Sequence, residues 1–326
     1  MFSVTADPEP PRLFVAGEAL IDLVAEPDGR FRPIPGGSPA NVAVGLSRLG
    51  GTASLLARLG TGAFGSTIRA HLEADGVDLA HAVTTSDPAT LAVVTLDEHG
   101  RAAYDFYAEG TADWGWTADE LPDPLPDGTL ALVTGSIAAA REPGASALLE
   151  LLRRERRRGE VSLVVDPNLR PSLLGPRDAV RARWDDLIGL ADVVKVSDED
   201  LEWLVPGAPP AEVAADWAGR GPSLVVVTYG ADGALGVTSA GTSVRVRTPP
   251  VDVVDTVGAG DAFTAGLVDG LRLAGLLGRP GEDRLAGTGA DGLRAVLDRA
   301  ALVAAITCAR AGADPPTAAQ VSAAAH

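Results

Sequence analysis

The sequence predicts an α/β fold: a largely parallel central sheet with helices on both faces and a small β flap. Three observations carry this expectation. Short aliphatic runs alternate with longer helical patterns along most of the 326 residues, as in strands joined by crossover helices. The strand-like runs are continuously apolar, which suits a parallel sheet buried on both faces. Two stretches, 22–35 and 90–107, break the alternation and read as hairpins, so a β unit is expected to project from the main sheet.

In chain order, the first predicted strand is Leu13 to Ala16. Asp22 to Pro35 follows as extended, turn, extended around Pro27-Asp28-Gly29, residue types that favour a reversal. A helix over Ala40 to Leu49, a strand over Ser54 to Arg58 and a helix over Gly65 to Asp75 come next. The second hairpin, Thr90 to Tyr107, turns at Asp97-Glu98-His99-Gly100 between partly alternating flanks. Strands are then expected at Leu130 to Thr134, Leu163 to Asp166, Val193 to Lys195 and Leu224 to Thr228. The intervening helices are Ala145 to Arg158, Arg177 to Ile188, Asp198 to Leu204 and Ala211 to Ala218. Ala234 to Thr248 alternates near its end, where Val244 and Val246 interleave with Arg245 and Arg247, and Pro249-Pro250 stops it at a sheet edge. Helices over Ala262 to Leu273 and Leu293 to Arg310 flank a Gly-, Asp- and Arg-rich stretch, 278–292, that reads as a surface loop. The whole is expected to form one domain over 12–317 with a discontinuous lid, 22–35 and 90–107, and loose termini at 1–11 and 318–326.

Composition narrows the function. Lys plus Arg is 27 against 44 Asp plus Glu, a net charge of −17, and Lys195 is the one lysine. Such a chain has no cation excess with which to displace counterions from nucleic acid, although a local site can still hold an anion. The single cysteine, Cys308, forms no internal disulfide, and the first residues lack the charged start and apolar core of a secretory signal. A cytoplasmic location is expected. The apolar runs reach at most roughly half the ~20 residues of a membrane span.

The strongest local signal is Asp255-Thr256-Val257-Gly258-Ala259-Gly260-Asp261-Ala262-Phe263. Its glycines let the backbone turn tightly at the head of the following helix, where unpartnered amides and the macrodipole favour a phosphate. Asp261 falls in the first turn beside that anion site, the pairing of base and anion hole that phosphoryl transfer to an alcohol needs. Taken alone, the string reads more simply as a capped turn. A second string far upstream, Gly36-Gly37-Ser38-Pro39-Ala40-Asn41-Val42-Ala43, changes that reading.

Together the two strings resemble the signatures of the ribokinase-like PfkB carbohydrate kinases, and the resemblance runs roughly from Leu13 to Thr317. It implies a ribokinase-like fold and ATP-dependent transfer of the γ-phosphoryl group to a primary hydroxyl of a small-molecule sugar. By resemblance Asp261 is the catalytic base, and Gly258, Ala259 and Gly260 supply amides to the transferred group. Asp22, Gly37 and Asn41 match sugar contacts, a carboxylate being suited to accept hydrogen bonds from a diol. Thr228, Gly230 and Gly233 match a strand-end segment that meets ATP phosphates, and Lys195 is a further phosphate contact. Asp255, with the Arg310 to Asp314 turn, matches a site for a monovalent cation such as K⁺. Ser197 and Asp200 stand where the family has the Asn and Glu of a motif linked to Mg²⁺, and the shorter carboxylate of Asp200 would reach the metal through water.

The sugar is less sharply encoded. Asp166-Pro167-Asn168-Leu169-Arg170 resembles a string shared by fructokinases and 2-keto-3-deoxygluconate kinases, while Tyr104 to Asp113 and Gly135-Ser136-Ile137 resemble fructokinases. Fructose, giving fructose 6-phosphate, is therefore expected, with Asn168 and Arg170 at the sugar and Phe106 covering the pocket. The alternatives are ketodeoxygluconate, ribose or a nucleoside as substrate, or a sensor that binds sugar or nucleotide without turnover. A homodimer through the lid is a further implication of the resemblance. A competing fingerprint, Gly60-Thr61-Gly62-Ala63-Phe64-Gly65, would suit a dinucleotide fold, but it falls in the second strand–helix unit, and no acid ends a strand about 20 residues on. It is assigned to backbone geometry.

Overall fold

The computed structural model describes residues 11–26, 28–96 and 102–325. The first strands are β1 (Arg12–Ala16), β2 (Leu20–Ala25) and β3 (Phe31–Gly36), followed by α1 (Ser38–Arg48), β4 (Thr52–Leu56) and β5 (Arg58–Gly60). Then come α2 (Ala63–Ala74), β6 (Val83–Thr85), β7 (Leu91–Leu96), β8 (Ala102–Tyr107) and β9 (Thr129–Gly135). The middle of the chain supplies α3 (Gly144–Arg158), β10 (Ser162–Asp166), α4 (Arg177–Leu190), β11 (Val193–Ser197), α5 (Asp198–Leu204) and α6 (Pro210–Ala218). It closes with β12 (Leu224–Thr228), β13 (Ala234–Thr238), β14 (Ser243–Val246), α7 (Ala259–Leu273), α8 (Arg279–Ala286), α9 (Ala290–Cys308) and α10 (Ala318–Ala324).

Among the described residues the main sheet has eight strands in the order β14-β13-β12-β11-β10-β9-β1-β4. Neighbours from β12 to β4 in that order pair in parallel, while β12–β13 and β13–β14, the expected edge meander, pair antiparallel. Alternation of side chains across the pleat divides the core in two. Leu13 and Val15 of β1 face one layer, with α1, α7 and α9. Phe14 and Ala16 face the other, with α3, α4 and α6. Helix α7 is buried along every residue from Asp261 to Leu271, which makes it a central rod rather than a surface helix and fixes its first turn firmly in place. No helix among the described residues is long and apolar enough to cross a membrane.

The two hairpins form one four-stranded sheet, β3-β2-β7-β8. Strand β2 pairs antiparallel with β3 and parallel with β7, which pairs antiparallel with β8. The expected turn at 97–100 lies outside the described residues. On one face of this sheet Asp22 is flanked across the strands by Ile34 and Ala92, with Phe106 beside Ala92.

Two expectations are corrected. Residues 318–326 are not loose as a whole: 318–324 form α10, because Thr317 and Gln320 make a capping box and Val321 is buried. Within 278–292, expected as a loop, Arg279–Ala286 is helical, and Leu285 enters the main core. The Gly60 to Gly65 turn is explained sterically. A Cβ on Gly65 would lie 1.9 Å from the Gly60 carbonyl oxygen, and β5 pairs only with β6 in a separate two-stranded sheet, away from the crevice where a dinucleotide fold binds its cofactor.

Candidate active site

Helix α7 begins at Gly258, whose φ of 74° is left-handed and whose Cβ, were there one, would lie 2.5 Å from that of Ala313. Glycine is required here on both counts. The loop before it is tied down by Asp255, whose carboxylate accepts the N–H of Val257 at 3.0 Å and of Gly312 at 2.8 Å. The structure thus joins Asp255 to the 310–314 turn, the two pieces expected to share a cation. The Ala259 N–H donates back to the Thr256 carbonyl at 3.2 Å, so of the three residues expected to present amides Ala259 is turned into the loop. The first-turn amides of Gly260 and Asp261 have no carbonyl one turn behind them within the helix.

Asp261 is only 8% exposed. Its carboxylate accepts Ser38 Oγ at 2.6 Å, Asn41 Nδ2 at 2.8 Å and Asn168 Nδ2 at 3.4 Å. The first two come from the head of α1, where Gly37 is the N-cap with φ 102° and passes so close to β1–β2 that a Cβ would lie 2.7 Å from the Glu18 carbonyl. Burial pushes the Asp261 carboxyl above the ordinary range, and Asp166 adds to this, while the bonds from Ser38 and Asn41 and the charge of Lys195 oppose it. A carboxylate raised in this way is better matched to taking up a proton near neutral pH.

Asn41 and Asn168, expected at the sugar, therefore also orient the Asp261 carboxylate. Asn168 sits at a positive φ of 37° and accepts Arg170 Nη1 at 2.8 Å through its side-chain oxygen. Arg170 is exposed, folded back over Asn168 and the Leu169 carbonyl, and its charge is felt at Asp22. Asp22 is pushed up to about 6 by burial, with Arg170 lowering and Asp261 raising it. Phe106 is half-buried against the second core layer, on the Asp22 face of the lid sheet.

Lys195 departs from expectation. It is 4% exposed, and its ammonium donates to Asp166 Oδ2 at 3.0 Å, an oxygen that also accepts Thr264 Oγ1 at 2.8 Å. A Cβ on Gly260 would lie 3.4 Å from Lys195 Nζ, so the charge lies against the first turn of α7 instead of reaching into solvent for a phosphate. Asp166 is the partner that sequence reasoning missed as a functional residue. A lone lysine at the end of a buried strand signals that some buried counter-ion is needed, but the spacing along the chain does not name which acid supplies it. Asp200 Oδ1 accepts the Leu169 N–H at 3.0 Å, which commits one oxygen to the chain. No cluster of three or more His, Cys, Asp or Glu among the described residues is placed to hold a metal.

Beside the head of α7 lies a cavity of about 370 Å³. Thr228, Gly230 and Gly233, expected at the ATP phosphates, line it together with Ala259 and Gly260. Its apolar wall, Ala301, Ala304, Ala305 and Cys308 of α9, was not foreseen. Those residues repeat at helical spacing within the expected Leu293–Arg310 helix; only the fold shows that this small-residue face opens onto a cleft.

An open α/β sheet whose crevice holds a polar helix head, a buried carboxylate and an adjoining cavity of about 370 Å³ is an arrangement that suits a phosphotransferase. The description "pfkB family carbohydrate kinase" matches residues 11–319, and the chain belongs to that family. A fructokinase from Rhizobium leguminosarum bv. trifolii is 38% identical over 269 residues, 81% of each chain. The structure of a fructokinase with bound ATP from Xylella fastidiosa superposes with a TM-score of 0.87 at 28% identity, covering 96% of this chain and 97% of that one. A fructokinase double mutant from Vibrio cholerae O395, in a form with fructose, ADP and potassium ion bound, gives 0.80 at 29% identity over 96% and 97%.

Proposed function

We propose that this carbohydrate kinase is a fructokinase that transfers the γ-phosphoryl group of ATP to the C6 hydroxyl of fructose. The observation that carries the reading is the placement of Asp261, a buried carboxylate fixed by Ser38 and Asn41 at the head of α7 and next to the cavity. The fructokinase relatives at up to 38% identity support the choice of sugar.

Fructose binds under the lid, with Asp22 accepting hydrogen bonds from its hydroxyls, Asn41, Asn168 and Arg170 around it, Gly37 allowing close approach and Phe106 covering it. ATP lies in the cavity along Thr228, Gly230 and Gly233, with its γ-phosphate toward the Gly258–Asp261 turn. Asp261 takes the C6 hydroxyl proton as O6 attacks phosphorus in line, and the bond to the bridging oxygen of ADP breaks. The products are fructose 6-phosphate, ADP and a proton that Asp261 then releases. The Gly260 amide and the Lys195 charge behind it offset the negative charge that gathers on the transferred group. Magnesium would enter on the triphosphate and neutralise its charge, with Asp200 as the residue to hold its water shell. A potassium ion would be held by Asp255 and the 310–314 turn, tightening the loop that carries Gly258.

The lid sheet leaves Phe31 49% and Tyr107 60% exposed and has open edges at β3 and β8, which supports pairing of two copies through it. The function is tested by a coupled assay of ADP release with fructose, ketodeoxygluconate and ribose as acceptors. A kcat/KM for fructose at least ~10-fold above the others is expected, and equal or higher values for another acceptor would overturn the choice of sugar.

A further inference from the structure

The lid is joined to the main sheet by chain segments that meet at one short stretch, 111–114, which the proposed chemistry does not use. Asp113 is 1% exposed. Its Oδ1 accepts the N–H of Ala19 at 2.9 Å and its Oδ2 accepts the N–H of Thr90 at 3.3 Å. Ala19 is the residue before β2 and Thr90 the residue before β7, so a single carboxylate holds both strands where they enter the lid. The first ladder bond between those strands, Ile21 N–H to the Thr90 carbonyl at 3.0 Å, follows directly, and in the resulting register Asp22 lies opposite Ala92.

The same stretch holds the chain where it leaves the lid. The Thr111 hydroxyl donates to the Ala108 carbonyl at 3.1 Å and shares a hydrogen bond with Thr90 Oγ1 at 2.6 Å. Trp114 Nε1 donates to the same Ala108 carbonyl at 2.9 Å, and Ala108 follows the last residue of β8. The Ala112 N–H reaches the Pro88 carbonyl at 2.9 Å. Buried amides need acceptors, and a carboxylate serving two of them is a strong and directional tie. It lies three residues from Asp22 along the strand that carries that side chain.

We propose that Asp113 is a positioning residue for sugar binding: its carboxylate pins the two strand entries as one hinge, fixing where the lid carries Asp22 over the acceptor. It does not touch the nucleotide cavity, so it acts on the sugar side alone. The inference rests on the lid-over-sugar reading above.

The test is Asp113→Asn, which keeps one acceptor and turns the other into a donor facing an N–H. The expected result is a KM for fructose raised ~10-fold or more, the scale of one lost charged hydrogen bond, with the KM for ATP within about twofold of wild type. Amide exchange over Leu20–Ala25 and Leu91–Leu96 should quicken while Ser162–Asp166 and Leu224–Thr228 keep their protection. An unchanged fructose KM, or a parallel rise for both substrates with faster exchange throughout, overturns the proposal. Where Asp113→Asn does not accumulate as folded protein, Thr111→Val, which removes the hydroxyl joining Thr90 to Ala108, should show the same one-sided rise at smaller size, and its absence is equally decisive. A wild-type enzyme that turns over another sugar instead would sink the fructose reading, and the same comparison made with that sugar would still decide the hinge.

Discussion

Ser38 Oγ donates to Asp261 Oδ1 at 2.6 Å, joining residues 223 positions apart. That bond brings the two signature strings into one site, because Ser38 opens α1 and Asp261 lies in the first turn of α7. It also means that the proposed base is oriented by a neighbour from the other signature, so the two substitutions at this pair have separable effects.

Asp261→Asn removes the base while keeping the shape. Turnover should fall at least ~10²-fold with ATP binding retained, as read by initial rates and by calorimetric titration with ATP. Turnover near that of wild type would take Asp261 out of the reaction.

Ser38→Ala acts on the titration of the base. The bond from Ser38 favours the charged carboxylate, so removing it raises the pKa further, and the acid limb of kcat against pH should move to higher pH. A profile that falls in height without moving would show that Ser38 only packs.

Asp22 gives sugar binding its own pH dependence. Its carboxyl titrates at about 6, and only the ionised form accepts hydrogen bonds with both oxygens. Sugar affinity is therefore expected to be full above pH 7 and to fall as pH drops through 6. Equilibrium fructose binding measured without nucleotide separates this from the base. In Asp22→Asn the affinity should be low and flat with pH.

Glu18 gives a stability prediction of opposite sense to that of a surface carboxylate. It is buried, accepts the Ala138 N–H at 3.1 Å, and is raised from 4.5 to about 7, chiefly by burial. Between those values the folded chain keeps a proton that the unfolded chain has lost, so stability declines as pH rises from 4.5 to 7 and stays low above it. The interval corresponds to about 3 kcal/mol. Glu18→Gln, which keeps an acceptor for Ala138, should melt higher than wild type at pH 8 and at the same temperature near pH 4.5. Parallel melting curves across that range would refute it.

Much of this molecule is readable residue by residue. The main-sheet strands are continuous aliphatic runs, and both lid hairpins show where the alternation breaks. The α10 cap, Thr317 with Gln320, is equally local, but the alanine-rich tail that follows has little polar patterning to mark a helix. Other features have no local signature. Nothing near Lys195 in sequence says that Asp166, 29 residues away, neutralises it. Nothing around Asp113 says that its carboxylate takes amides from Ala19 and Thr90.

The sequence by itself determined the layered α/β class and the glycine turn that opens α7, because propensity, periodicity and left-handed turns act over a few neighbouring residues, and the two strings together marked Asp261 as the candidate base by resemblance. Only the tertiary structure decided which groups share the site: the burial of Lys195 beneath Gly260, the alanine wall of the cavity and the tie between the lid strands. Those follow from burial and from pairing between distant strand ends. A buried charge or amide must find its partner wherever the fold brings one within about 3 Å, and no spacing along the chain records that distance.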